Sequence, residues 1–293
     1  MRKALTAVSV LAVLVALVLA ATAAGAPRSA AAIPGCAPGS LNLIKSGQLT
    51  VGTDNPAYPP WYQGGTPKGS KWKISDPNTG KGYESATVYA VAKALGFSKS
   101  QVVWTYVPFG KAFAPGKKSF DFDANQISAL PARAKVVDFS DSYYDVAQAL
   151  VVKKGTAIAK VHTIAGLAGF KFGVQRGTSS YNTIITVIKP SSKPSVFPTN
   201  DFAVTALKNK QIDGLVVDLP TAFYVTAAQV PNSIILGQFP SGAKHEHFGF
   251  AFQKGNSLQS CVNKALASLR ANGTLKQFDK TWLSKVVGVP VLK

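Results

Sequence analysis

Ile212-Asp213-Gly214-Leu215-Val216-Val217-Asp218-Leu219-Pro220 reads as a short buried strand, Ile212 to Val217, handed at once to a helix from Pro220 to about Ala228. Proline suits the first turn of a helix, and Asp218 stands where the strand ends. A helical pattern from Phe202 to Lys208 precedes the strand, so the unit alternates helix, strand, helix. The same alternation extends outward. Strands are expected at Gln48–Thr53, Val102–Phe109, Phe120–Ile127, Gln148–Val152 and Lys171–Val174, with helices at Glu84–Leu95 and Ser180–Ile188. Downstream come strands at Ile234–Gly237 and Phe248–Phe252 and helices over 257–271 and 274–284. Ser191–Pro198 and Thr66–Gly82 supply loops. This order predicts an α/β protein with mainly parallel sheets.

The chain has 293 residues, room for about two domains. Charged residues make up only 15%, yet 32 Lys and Arg against 13 Asp and Glu leave a formal charge of +19. Five of the basic residues are arginine (Arg2, Arg28, Arg133, Arg176, Arg270), and no dense basic run occurs. Nucleic-acid recognition leans on arginine forks, so this composition argues against a nucleic-acid partner. A diffuse lysine surface instead suits solubility and attraction to anionic envelope polymers.

Arg2 and Lys3 precede an uncharged stretch from Ala4 to Ala24, and Ala21-Thr22-Ala23 has the small-x-small form that signal peptidase cleaves. Residues 1–23 are therefore expected to be a signal peptide, and 24–41, rich in Ala, Pro and Gly, a tether. A retained membrane anchor is the rival reading of the apolar stretch. Export places the two cysteines, Cys36 and Cys261, in an oxidising compartment. Cys261 lies on the apolar face of the 257–271 helix, so it is either a buried thiol or the partner of Cys36 in a bridge. The spacing excludes a zinc cluster.

Enzyme templates fail: there is no HExxH, GxSxG or P-loop. His245-Glu246-His247 reads as a surface segment leading into a strand, and no metal or cofactor is expected. Binding features are better. Asp218, at a strand's carboxyl end, can meet a cationic ligand group or cap the helix behind it. Gly177-Thr178-Ser179 opens a helix whose free N–H groups suit an anion or ordinary capping. Arg133 follows Ser128-Ala129-Leu130-Pro131-Ala132 and is the fork-shaped partner of a carboxylate, or a solvated helix residue. Tyr58 and Trp61 flank Pro59-Pro60 as either a ligand wall or packing.

In order along the chain, Val51-Gly52-Thr53-Asp54, Tyr58-Pro59-Pro60-Trp61 and Gly82-Tyr83-Glu84 are followed by Pro131 through Ser140 with Tyr143-Tyr144. Gly173-Val174-Gln175, Gly177-Thr178-Ser179, Gln211 through Asp218 and Phe248-Gly249-Phe250-Ala251 complete the set. Over about 42–285 this resembles the family 3 extracellular solute-binding proteins, the amino-acid-binding components of ABC importers. The resemblance implies a two-lobed, type II periplasmic-binding-protein fold with two crossover strands as hinge. Lobe 1 would comprise 42–150 and 253–293 and lobe 2 would comprise 151–252, with crossings near Val151-Val152 and Phe250-Phe252.

It further implies that Arg133 clamps a ligand α-carboxylate with help from Thr178 and Ser179 at their helix start. Asp218 and Ser128 would hold the α-ammonium, Tyr58 or Trp61 would cover the side chain, and Asp54 would line the far end. Gln126 stands where relatives carry a small residue, which favours a polar ligand side chain. The protein is thus expected to be an exported monomer of the cell envelope, periplasmic or extracellular, which takes a small polar amino acid to an ABC permease. Alternatives are a dehydratase on the same lobes, with Glu84 as its proton donor and prephenate or arogenate as substrate, and a membrane-tethered ligand sensor.

Overall fold

The computed structural model describes residues 33–240, 245–284 and 286–293. The expected signal peptide, and the tether up to residue 32, lie outside the described residues. In the first lobe, β1 (Leu49–Thr53) leads to α1 (Tyr83–Ala94), β2 (Val102–Tyr106), the short α2 (Phe109–Ala112), β3 (Phe122–Asp123), α3 (Pro131–Ala134) and β4 (Val137–Phe139). The chain crosses at β5 (Tyr144–Asp145) into β6 (Gln148–Lys153), β7 (Phe172–Gln175), α4 (Ser179–Thr183), β8 (Ser195–Phe197), α5 (Asn200–Lys208), β9 (Gly214–Asp218), α6 (Leu219–Tyr224) and β10 (Ser233–Gln238). It returns at β11 (His247–Phe248) to β12 (Ala251–Gln253), α7 (Leu258–Ala271) and α8 (Thr274–Trp282). α4 and α6 each widen into a π-type last turn, over Ile184–Ile188 and Val225–Gln229.

Each lobe is built on a five-stranded sheet, ordered β2-β1-β3-β12-β4 in one and β10-β6-β9-β7-β8 in the other. The strands reached through helical crossovers run parallel: β1 with β2 and β3, β7 with β8 and β9. β12 and β6, which enter straight from the hinge, run antiparallel to their neighbours, and so does the edge strand β10. Four of the five strands in each sheet thus share one direction, as expected, and the single reversed strand is the one that arrives without a crossover helix. β5 and β11 pair antiparallel as a two-stranded hinge, His247 opposite Asp145 and Phe248 opposite Tyr144.

The expected lobe boundaries move. All of β6, from Gln148, belongs to the second sheet, and all of β12 to the first, so the crossings fall a few residues earlier than Val151-Val152 and Phe250-Phe252. Those residues are apolar because they sit inside sheet cores. The end of the chain also departs from expectation. After α8 the tail returns to the second lobe, where Val291 bridges Gln238 and the Leu292 N–H donates to the Gln238 carbonyl at 2.9 Å. Leu292 is buried against Phe172 and Leu236.

On β6 and β9 successive side chains face opposite ways, and both faces are covered. Val151, Leu215 and Val217 pack under α5 and α6, while Leu150, Val152 and Val216 pack with Phe172 and Ile184. The first lobe's core is aromatic: Trp61, Tyr62, Tyr83, Phe122, Phe248, Phe250 and Phe252 meet Leu258, Val262 and Leu266 of α7. Gly82 adopts φ +94° at the start of α1, where a Cβ would collide with the Trp61 carbonyl. That contact lets the Pro59–Trp61 corner lie directly on the helix. A disulfide joins Cys36 to Cys261 across 225 residues, with Cα atoms 5.6 Å apart. Ile33, Leu41 and Leu43 pack on the same core, so the part of the expected tether from residue 33 onward is pinned to α7.

Candidate ligand cleft

The lobes enclose a cavity of about 180 Å³, and every ligand position expected from the sequence lines it. The first lobe supplies Asp54, Tyr58 and Trp61 from the turn after β1, Gln126 and Ser128 from the segment after β3, and Arg133 from α3. The second supplies Thr178 and Ser179 at the start of α4, and Asp218 at the end of β9. All but Trp61 and Arg133 therefore follow a strand's carboxyl end closely, the place where open α/β sheets hold ligands.

Arg133 is 7% exposed. It reaches across the cleft, one guanidinium nitrogen donating to the Ser128 carbonyl at 2.7 Å and the other to the Gly177 carbonyl of the opposite lobe at 2.7 Å. Its Cζ atom lies 4.2 Å from the Phe113 ring centroid and 5.7 Å from that of Phe109. An aromatic shelf of this kind stabilises a desolvated cation. Burial lowers its pKa to about 10, and the Glu246 carboxylate pulls it back up. Arginine has five N–H donors, so the carbonyl bonds leave others for an incoming anion.

Asp218 caps the helix behind it and also faces the cavity. One carboxylate oxygen accepts the Thr221 N–H at 2.9 Å, capping α6, while the side chain also lines the cavity. Burial raises its pKa to about 6, with the Thr221 contacts opposing. A cation placed against a buried carboxylate favours its charged form.

Tyr58 and Trp61 take different places. Trp61 is a pillar of the hinge, edge-on to Tyr83, Tyr144 and Phe248 at 5.4–5.9 Å, with its indole N–H on the Thr221 hydroxyl of the second lobe at 3.2 Å. Tyr58 stands at the cleft. Its hydroxyl donates to Asp201 of the second lobe at 2.6 and 2.7 Å, and its ring lies 5.7 Å from that of Tyr224. Asp54 accepts the Asn55 N–H at 2.8 Å. Burial raises its pKa, Asn55 opposes, and the Asp201 charge raises it further.

Two expected polar contacts are turned elsewhere. Gln126, at φ +48°, gives both its backbone N–H and its side-chain amide to Glu84 beneath the cleft. The Thr178 hydroxyl donates to the Gln175 carbonyl at 2.9 Å. Asp201, Asn200, Tyr224, Gln148 and Phe109 also line the cleft without a signal in the sequence, and behind the lining stand Glu246, on Ser128 and Gln148, and Phe113, on Arg133. Asp201 follows β8, whose Ser195–Phe197 was read as loop, so the carboxyl-end rule had no strand to act on. The Asn200 Oδ1 atom is buried here without a partner.

Among the described residues no cluster of His, Cys, Asp and Glu is disposed to hold a metal, and no helix is long and apolar enough to cross a membrane. The geometry is that of a molecule that grips a small polar solute between lobes. Comparison with known proteins agrees. The glutamine-binding protein GlnH of an ABC transporter of Bacillus subtilis (strain 168) is 28% identical over 217 residues, 72% of this chain and 77% of that protein. A solved ancestral arginine-binding protein bound to arginine superposes with a TM-score of 0.65 at 30% identity, over 80% of this chain and 98% of that one. An ancestral amino-acid-binding protein described as a precursor of cyclohexadienyl dehydratase gives 0.64 at 27%, over 80% and 95%. The family model for bacterial extracellular solute-binding proteins, family 3, matches residues 49–285, from the first strand of lobe 1 to the end of α8, and the chain belongs to that family.

Proposed function

We propose that this protein binds an amino acid with a cationic side chain and hands it to a membrane permease. It is an extracytoplasmic amino-acid-binding component of an ABC importer. The cationic class rests on one observation: the cleft carries more carboxylates than it can balance. Asp54, Asp201 and Asp218 line it against Arg133 alone, and the one ion pair among the described residues is Lys254–Asp138, at 2.7 Å and outside the cleft. A zwitterion matches Arg133 with its carboxylate and Asp218 with its ammonium. Asp54 and Asp201 then remain, facing each other from opposite lobes, and a guanidinium, ammonium or imidazolium between them removes their repulsion. The expectation drawn from Gln126 narrows accordingly, since its side-chain amide is turned to Glu84.

Binding rather than turnover is part of this proposal. Glu84, the proton donor a dehydratase would need, is fully buried and held by Gln126 and Tyr143, and it does not line the cavity. Isothermal titration of the processed chain with L-arginine, L-lysine, L-histidine, L-glutamine, L-leucine and L-glutamate tests the class. The cationic three are expected to bind most tightly and glutamate least. Glutamate or leucine binding more tightly than all three refutes it, and conversion of prephenate or arogenate by the same preparation would establish an enzyme.

A further inference from the structure

Glu246 lies one residue before β11, in the segment that read as surface, yet its carboxylate turns inward. It accepts the Ser128 hydroxyl at 2.5 Å and the Gln148 side-chain amide at 3.2 and 3.1 Å on its two oxygens. Ser128 belongs to the first lobe and Gln148 to the second, and both line the cleft. The Ser128 and Ser179 hydroxyl oxygens are 3.1 Å apart. A serine has one hydroxyl proton. With that of Ser128 given to Glu246, the Ser128–Ser179 bond must be donated by Ser179. The protons therefore run Ser179 to Ser128 to Glu246 and end on a carboxylate.

This direction has a consequence at the Arg133 end of the cleft. Ser128 and Ser179 flank the place where Arg133 would take the ligand carboxylate, and both present lone pairs there instead of protons. Glu246 also adds a negative charge close enough to act on the Arg133 guanidinium and on Asp218. Arg133 is thus left to hold a carboxylate without hydroxyl help and with a like charge nearby, while the ammonium and the distal cation meet carboxylates.

We infer that Glu246 is a specificity-determining residue of the cleft: by drawing off the Ser128 and Ser179 protons and offsetting the Arg133 charge, it weakens the hold on a carboxylate at the Arg133 end and narrows the preference there for a free acid over a neutral group. This rests on the amino-acid reading of the cleft given above. Glu246→Gln keeps a side chain of the same length but removes the charge that orders the proton chain. Calorimetry compares whichever of L-arginine, L-lysine, L-histidine and L-glutamine the natural chain binds best with its α-carboxamide, in the natural chain and in the variant.

The Kd ratio of carboxamide to free acid is expected to rise about tenfold in Glu246→Gln, the scale of one close charge contact, and L-glutamate should gain affinity similarly. Glu246→Ser, smaller and also neutral, provides the same readout if the glutamine variant is poorly folded by circular dichroism. A ratio unmoved within about twofold, or lowered, overturns the role of Glu246 while leaving the amino-acid reading in place. Failure of the natural chain to bind any of the four overturns both.

Discussion

The Tyr58–Asp201 contact makes closure of the lobes testable at a single atom. Tyr58 belongs to the first lobe and Asp201 to the second, and the hydroxyl donates to both carboxylate oxygens at 2.6 and 2.7 Å. Burial, together with the Asp201 charge, holds the Tyr58 proton firmly on the phenol, so the tyrosine is the donor. A hydrogen bond to a charged group contributes about 1.5–3 kcal/mol net. The bond crosses the cleft, so opening the lobes breaks it and its whole contribution favours the closed form. Tyr58→Phe keeps the ring against Tyr224 and removes only the hydroxyl. If the ligand is gripped only by closed lobes, apparent affinity scales with the closed fraction, and Kd should rise by about 10- to 150-fold.

Calorimetry in the natural chain and in Tyr58→Phe measures that factor, and Asp201→Asn supplies the other corner of a double-mutant cycle. Adding Tyr58→Phe to Asp201→Asn should cost much less than adding it to the natural chain, because the charged acceptor is already gone. Asp201→Asn alone should cost more than Tyr58→Phe for a cationic ligand and about the same for L-glutamine. A Kd for Tyr58→Phe within about twofold of the natural value refutes the idea that this bond holds the lobes together. Full additivity in the cycle refutes the pairing itself.

Two further outcomes follow from the fold and the buried acids. Cys36→Ser together with Cys261→Ser opens a loop of 225 residues and frees the segment from residue 33, and should lower stability by about 2–5 kcal/mol in urea titration; an unchanged midpoint would mean that the aromatic core alone fixes this segment. Acidity acts in opposite directions on stability and binding. Asp218 and Glu84 have folded pKa values raised by burial, to about 6 and about 7, so the folded chain binds more protons than the unfolded one between pH 4 and 7. Unliganded stability is therefore greatest below about pH 4 for these groups and is lost as pH rises through 6 and 7. An ammonium held by Asp218 needs the charged form, so ligand Kd should fall as pH rises from 5 to 7. Thermal melts and calorimetry across that range check both, and Asp218→Asn should flatten the binding profile.

The alternation of helices and strands was legible because strand and helix periods differ, and Ile212–Asp218 shows why: a short apolar run between two amphipathic patterns admits one reading. The cleft residues that follow strongly apolar strands were legible for the same reason. What escaped lay where the local signal points elsewhere. β8, Ser195–Phe197, is half exposed and sits among Pro and Lys, so its strand character comes from pairing with β7, and Asp201 behind it went unread. Glu246 stands between two histidines and looks solvated, and only the antiparallel β5–β11 pairing turns it inward. The hinge itself is two residues wide on each strand, too short to leave a periodic trace, whereas the apolar stretches that mimicked it belong to the sheets on either side.

The proposal of binding rather than turnover turns on the placement of one acid. Glu84 takes the Gln126 N–H at 2.7 Å, the Gln126 side-chain amide and the Tyr143 hydroxyl, and its pKa is raised to about 7 by burial and lowered again by those donors. A general acid near neutrality is chemically apt to protonate a leaving group. It must also come within hydrogen-bond reach of the reacting atom. Here Gln126 stands between Glu84 and the cavity, held at φ +48° so that its backbone and side chain both serve the carboxylate. The same three donors tie the floor of the cleft to Tyr143, next to the hinge strand β5, so the acid braces the lobe that closes. A proton donor sealed behind the floor can shape the cleft but cannot reach a solute within it. The carboxylates that do line it, Asp54, Asp201 and Asp218, are the ones the proposed cationic ligand would meet.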